Sequence, residues 1–123
     1  MKLEDLQVYQ LSMSLGDRIW NIVVNWDYFA KDTIGKQLVK AADSVASNIS
    51  EGYGRFHYKE SKHFGYYARG SLYETKTWIT KAHNRSLIND VDFHNFQEDI
   101  KVLGIKLNNY IRSIGKKGSS NQV

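Results

Sequence analysis

The chain has 123 residues, 41% hydrophobic and 24% charged, a composition that suits one globular domain and excludes two. It contains no cysteine, which excludes disulfides and cysteine-ligated zinc, and no apolar run or signal core that would direct it into a membrane, so we expect a cytoplasmic protein. The formal net charge of +4 is uneven, because residues 1–57 carry six Lys and Arg against seven Asp and Glu while residues 58–123 carry eleven against six.

Apolar residues in steps of three and four predict a long first helix over residues 4–26. The stripe expected to face the core is Val8, Leu11, Leu15, Ile19, Ile22 and Trp26. A second apolar set lies about 100° round the same helix and consists of Leu6, Tyr9, Met13, Trp20 and Val24. This surface is either part of a broad core face or a subunit interface, and we expect a homo-oligomer that buries it.

The second helix is expected to begin at a cap formed by Asp32 or Thr33 and to run to about Gly52. Its apolar face is narrow, so another helix can approach closely, and consists of Leu38, Ala41, Ala42, Val45 and Ile49. Gly52 and Gly54 are expected to allow a positive φ where the helix ends. A phosphate-binding glycine loop is the alternative, but neither of its spacing patterns is present.

A polar line accompanies the second helix, and a matching polar set follows on the third. Together these residues are Ser44, Asn48, Glu51, Arg55, Ser71 and Glu74. We interpret them as a structural network that fixes the register of the two helices through hydrogen bonds, because an unsatisfied buried partner would cost about 1–3 kcal/mol. A ligand site is the alternative.

The third helix is predicted over residues 58–84, with an unusual outer side that alternates cations with aromatic rings. These residues are Lys59, Lys62, Tyr66, Arg69, Tyr73 and Lys76. The core side is expected to be Phe64, Ala68, Ser71, Leu72, Thr75, Trp78, Ile79 and Ala82. Cations attract phosphates and tyrosine rings stack on unpaired bases, so the outer side is a candidate RNA surface. Alternatively, its tyrosines pack against another subunit.

The fourth helix is expected to start at a cap formed by Asn89 or Asp90. Its near-heptad apolar stripe is Phe93, Phe96, Ile100, Leu103, Leu107, Tyr110 and Ile114. The four helices predict an all-α protein, an antiparallel up-down-up-down four-helix bundle over residues 1–115. Residues 116–123 are expected to form a flexible basic tail.

Catalytic and metal-binding patterns are weak. Glu60 and His63 form one Glu-x-x-His pair, whereas di-iron bundles need two such pairs and further inward carboxylates. The histidines, which are His57, His63, His83 and His94, are not accompanied by a nucleophile motif. We therefore expect no enzymatic activity, no metal and no cofactor.

Two motifs resemble those of a known family. SNISEGYGR at residues 47–55 resembles the central signature of the 23S rRNA intervening-sequence proteins, and ARGSLYE at residues 68–74 resembles the family's second motif. Relatives of that bacterial family include accessory proteins of diversity-generating retroelements. The resemblance implies a four-helix bundle assembled as a ring, a homopentamer, and points to rRNA or retroelement RNA.

The expected function is therefore that of a non-enzymatic oligomeric protein that binds RNA. The alternative is a scaffold that docks a partner protein, such as a reverse transcriptase, and binds little RNA itself.

Overall fold

The computed structural model describes residues 1–116, which form four long helices and no strand. Helix α1 spans Gln7–Val23, α2 spans Lys36–Tyr53, α3 spans Tyr58–Asn84 and α4 spans Asp90–Ser113. Each helix packs against its neighbours in the chain, and α1 also contacts α4. The predicted all-α antiparallel four-helix bundle is confirmed. Of the predicted tail, Lys116 is described and residues 117–123 lie outside the described part.

The helical stretch that contains α2 begins earlier than the sequence suggested. Its cap is Asp27, whose carboxylate accepts a hydrogen bond from the backbone N–H of Ala30 at 2.9 Å. The prediction that Asp32 or Thr33 caps this helix is wrong, because both residues already lie within helical backbone. The hydroxyl of Thr33 donates to the backbone carbonyl of Phe29 at 2.7 Å, which is a bond of a helix interior.

A wider helical turn joins this cap to α2. One α-helical turn, Tyr28–Ala30, leads into a π-helical segment, Lys31–Gly35, and only then into α2. The π segment brings Gly35 against the end of α1, where an added Cβ would lie 2.9 Å from Cγ1 of Val23. A side chain at this position would therefore push α1 away from this helical stretch.

Helix α1 faces the core with a slightly different side from the one predicted. Leu11 is exposed and Ile22 only partly buried. The α1 residues that are buried are Val8, Ser12, Leu15, Gly16, Ile19 and Val23. The small residues face α2, and an added Cβ on Gly16 would lie 2.7 Å from Oδ1 of Asp43. Close contact with α2 has turned the helix toward its Ser12 and Gly16 side.

Glycine acts at the α2–α3 junction through its size. The predicted positive φ is absent from Gly52, which lies inside α2, and from Gly54, whose φ is −80°. An added Cβ on Gly52 would lie 2.8 Å from Cβ of Phe64 and 3.0 Å from the backbone oxygen of Ser61. Gly52 therefore permits the close approach of α2 and α3.

Most of the predicted core is buried in α2, α3 and α4. All five residues of the predicted α2 face are buried. In α3, Phe64, Ser71 and Trp78 are only partly buried, and Ser61 and Gly65 face the core beside the other predicted residues. The buried residues of α4 are Phe96, Ile100, Leu103, Leu107, Tyr110 and Ile111.

The connection between α3 and α4 is tied to the end of α1. Asn89 caps α4, as one of the two predicted alternatives, by accepting from the backbone N–H of Asp92 at 2.7 Å. The indole N–H of Trp26 donates to the backbone oxygen of Leu87 at 3.0 Å.

None of the helices in residues 1–116 is both long and apolar enough to cross a membrane.

Candidate functional site

The basic-aromatic surface is the outer side of α3. Its members are the six predicted residues Lys59, Lys62, Tyr66, Arg69, Tyr73 and Lys76. Helical steps of three and four place them along one side of the helix, away from its buried stripe. Lys59, Tyr66, Tyr73 and Lys76 are exposed, and Tyr73 keeps 65% of its surface accessible. Lys62 and Arg69 are half-buried.

Arg69 is the most constrained cation of the surface. Its guanidinium donates to Oδ1 of Asn108 on α4 at 3.1 Å and lies over the ring of Tyr66, 4.9 Å from the ring centroid. These contacts hold the side chain across the space between α3 and α4. A cation held in one orientation loses little conformational freedom when it binds an anion.

A groove of about 460 Å³ lies beside Arg69, between α3 and α4. Its rim adds Lys101 to the predicted cations Arg69 and Lys76, and one acid, Glu98, also lines it. Its apolar lining includes Ile105, which is 57% exposed. Sequence reasoning missed the α4 side of this groove, although Ile105 lies outside the heptad stripe of α4 and is an apolar residue that the bundle core does not need.

The predicted interface on α1 keeps most of its members at the surface. Met13, Trp20 and Val24 are exposed, Trp20 by 55%, and Tyr9 is half-buried. The prediction is wrong for Leu6, because this residue is only 2% exposed and cannot form part of a surface. It occupies the cap position before α1, with extended backbone at φ −71° and ψ 123°, and its side chain joins the core of its own bundle.

Two carboxylates lie beside this apolar surface. A groove of about 330 Å³ between α1 and α2 is lined by Met13, Asp17 and Asp43, among others. Asp43 is an exposed residue whose carboxyl is partly buried; this partial burial raises its pKa, and the neighbouring Asp17 carboxylate raises it further. This side of the bundle is therefore acidic, in contrast to the cationic groove between α3 and α4.

The predicted polar network does not connect α2 to α3 in the way expected. Asn48 donates to the backbone oxygen of Ser44 at 2.8 Å, and Glu74 accepts from the indole of Trp78 at 3.3 Å. The backbone oxygen of Ser71 accepts from the hydroxyl of Thr75. Each of these bonds stays within one helix.

Arg55 makes the link between α2 and α3 instead. It pairs with Glu51 in the last turns of α2 and approaches Glu60 of α3 at 3.7 Å. Its guanidinium also lies over the ring of Phe64, 4.9 Å from the centroid. All three carboxylate and guanidinium groups are substantially exposed, so these ion pairs are weak.

Residues that could support catalysis or metal binding are dispersed. Within residues 1–116, no three His, Asp or Glu side chains are arranged to hold a metal ion. Glu60 approaches Arg55, and His83 bonds to Asp90 at 2.7 Å and stacks on Phe93 at 3.9 Å between ring centroids. His83 therefore helps to hold the start of α4 against the end of α3.

Comparisons with known proteins agree with the resemblance in the two motifs. The family described as 23S rRNA-intervening sequence protein matches residues 4–109. A crystal structure of a protein of unknown function from the S23 ribosomal protein family of Bacteroides thetaiotaomicron superposes with a TM-score of 0.76 at 18% identity. The match covers 85% of this chain and 95% of that one, and at this identity it shows the fold alone. No curated protein sequence matches the chain significantly.

Proposed function

The chain belongs to the 23S rRNA-intervening sequence protein family, and from this premise we propose that it is a non-enzymatic, oligomeric protein that binds RNA through its basic-aromatic surface. The observation that carries the proposal is the coincidence of cations and accessible aromatic rings on the outer side of α3. The proposed RNA is rRNA or a retroelement RNA, as the family resemblance implies.

The spacing of the cations supports contact with a polyanion. Lys62, Arg69 and Lys76 recur every seven residues, which places them about 10 Å apart along the helix axis. Lys and Arg neutralise phosphates and release condensed counterions, so such contacts bind RNA independently of its sequence. The surplus of Lys and Arg in residues 58–123 favours the same partner.

The aromatic rings support single-stranded or unpaired RNA. Tyr66 and Tyr73 alternate with the cations and are exposed, and Tyr67, which is not one of the six predicted residues, is exposed beside them. Stacking of an unpaired base on an aromatic ring is worth about 1–3 kcal/mol. Large exposed rings on a charged surface have no role in the core of the bundle.

Self-assembly is part of the proposal. The exposed apolar residues Met13 and Trp20 of α1 and Val24 directly after it are proposed to form the subunit interface, and the family resemblance implies a homopentamer. An assembly presents the basic-aromatic surface once per subunit. One RNA that contacts several copies gains affinity through effective concentration, without any new kind of contact.

A salt titration of RNA binding tests the proposal. The Lys62/Arg69/Lys76→Ala variant should bind a single-stranded RNA more weakly than the wild type, with a log–log salt slope that is shallower by about 0.7 for each phosphate that the variant no longer neutralises. The matched control is Lys31/Lys36/Lys40→Ala, which removes the same charge from residues before α3. Fluorescence anisotropy with a labelled oligoribonucleotide measures both.

Equal reductions of affinity in the two variants would show that net charge alone attracts the RNA. Absence of binding at low salt would favour the second candidate, a scaffold that docks a partner protein such as a reverse transcriptase. The observation behind that candidate is the extreme exposure of Phe56, at 91%, on the turn between α2 and α3. Tyr58, two residues later, is also exposed, and exposed apolar rings that occur together are typical of a protein contact.

A further inference from the structure

The groove between α3 and α4 has an apolar lining that phosphate binding does not require, since phosphates need only accessible cations. The groove has an apolar floor that includes Leu72, Ile100 and Gly104, and Ile105 stands exposed at its edge. Its volume of about 460 Å³ falls within the range typical of small-ligand pockets, about 300–1,000 Å³. An apolar space of this size suits a flat ring.

Cations surround the apolar floor. Arg69, Lys76 and Lys101 line the groove against one acid, Glu98, so an anionic group attached to the ring would be attracted. The hydrogen bond to Asn108 and the ring of Tyr66 hold Arg69 in place. The tyrosine face required for stacking is supplied by Tyr73, which lines the same groove.

We propose that this groove binds one unpaired base of a single-stranded RNA, with the flanking phosphates on the cations of the rim. The inference rests on the proposed function and specifies it. A base in a duplex is paired and stacked, and therefore cannot enter a groove on a protein surface, whereas an unpaired base can be splayed out against an aromatic ring. The groove thus makes the protein selective for unpaired RNA.

Gly104 allows the groove to be filled without removing a charge. An added Cβ there would have one neighbour within 4 Å, Cδ2 of Leu72 at 3.8 Å, which is ordinary van der Waals contact. Gly104→Leu therefore keeps every cation and replaces a poor helix former with a good one. The matched control is Gly70→Leu in α3. Gly70 does not line the groove, and an added Cβ there meets nothing within 4 Å.

The experiment compares three labelled probes by fluorescence anisotropy. They are a short single-stranded oligoribonucleotide, the same strand annealed to its complement, and an abasic sugar-phosphate strand of equal length. The wild type should prefer the base-bearing single strand to the abasic strand by about 5- to 160-fold for the one base stacked in the groove. Gly104→Leu should lower this preference by the part that the groove supplies and keep its affinity for the abasic strand, while Gly70→Leu should keep both.

Three outcomes overturn the inference. If Gly104→Leu binds the base-bearing strand as tightly as the wild type, the groove holds no base, and the proposed function survives as phosphate binding with stacking on the exposed tyrosines. If no probe binds at low salt, the proposed function fails as well. If Gly104→Leu reduces the assembly size in light scattering with unchanged RNA affinity, the groove is occupied by a second copy of the chain.

Discussion

Asp43 is the carboxylate whose surroundings change its chemistry most. It lies in the groove between α1 and α2, against the space that Gly16 leaves free. Burial first, and the Asp17 carboxylate second, raise the pKa of Asp43 above its ordinary value of 3.8. A native carboxyl with a raised pKa binds more protons than its unfolded counterpart between the two pKa values, so folding stability falls as pH rises through that window.

We therefore predict that Asp43→Asn stabilises the protein at neutral pH and not well below pH 3.8. At neutral pH the substitution removes an ionised carboxylate that the fold disfavours, whereas at low pH both side chains are neutral. Thermal unfolding across this range measures the difference. A stabilisation of the same size at both ends would show that ionisation of Asp43 is not its cause.

Asp17→Asn is the companion variant. It should lower the pKa of Asp43 and leave it above the ordinary value, because burial is the larger of the two causes and persists. Carboxyl chemical shifts in an NMR titration report that pKa directly.

At the scale of the helices, the bundle depends on close approach at a few small residues. Gly65 lies in α3 where an added Cβ would be 2.7 Å from Cγ1 of Ile111 on α4. Cγ1 is near the base of the isoleucine side chain and has little freedom to move away. Gly70, five residues later in the same helix, faces open space.

Alanine is predicted to stabilise the protein at Gly70 and not at Gly65. Gly70→Ala should stabilise the protein by about 1 kcal/mol, the gain in helix propensity at an exposed position. Gly65→Ala receives the same propensity gain but must also separate α3 from α4, and overpacking costs about 1–3 kcal/mol. Urea unfolding of both variants isolates that cost as their difference, and equal stabilities would mean that α3 and α4 adjust freely to the added methyl group.

At the scale of the whole molecule, the exposed apolar surface along α1 is the proposed subunit interface. Met13, Trp20 and Val24 are separated by seven and four residues, so they lie on one side of the helix, and all three are exposed. Tryptophan at the centre of an interface typically contributes about 2 kcal/mol or more to binding. Trp20 is thus the residue on which the proposed oligomer depends most.

Trp20→Glu is predicted to convert the oligomer into a monomer without unfolding it. The new carboxylate would have to be buried in the interface, and Asp17 lies one helical turn earlier in α1, so charge repulsion adds to the removal of the apolar ring. Light scattering at micromolar concentration measures the mass, and circular dichroism measures the helix content. Phe56→Glu is the control, since Phe56 is exposed outside this surface. A wild type that is itself monomeric would contradict the proposed assembly.

The sequence alone determined which segments are helices. The predicted third helix, residues 58–84, coincides with α3, and Asn89 is one of the two residues predicted to cap α4. These signals are local, because a helix forms from bonds between residues four apart and a cap from a side chain and the next three residues. The family motifs at residues 47–55 and 68–74 are equally local, and the family match confirms the family that they indicated.

Tertiary structure decided which side of each helix is covered and what lies between the helices. Leu6 shares the helical pattern of Trp20, yet it is buried because extended backbone before α1 directs it into the core. The candidate groove joins Arg69 to Asn108, 39 positions apart in the chain. Periodicity shows only which residues share one side of a helix. The rotation and separation of packed helices depend on steric contacts between residues distant in sequence, such as the close approach of Gly16 and Asp43.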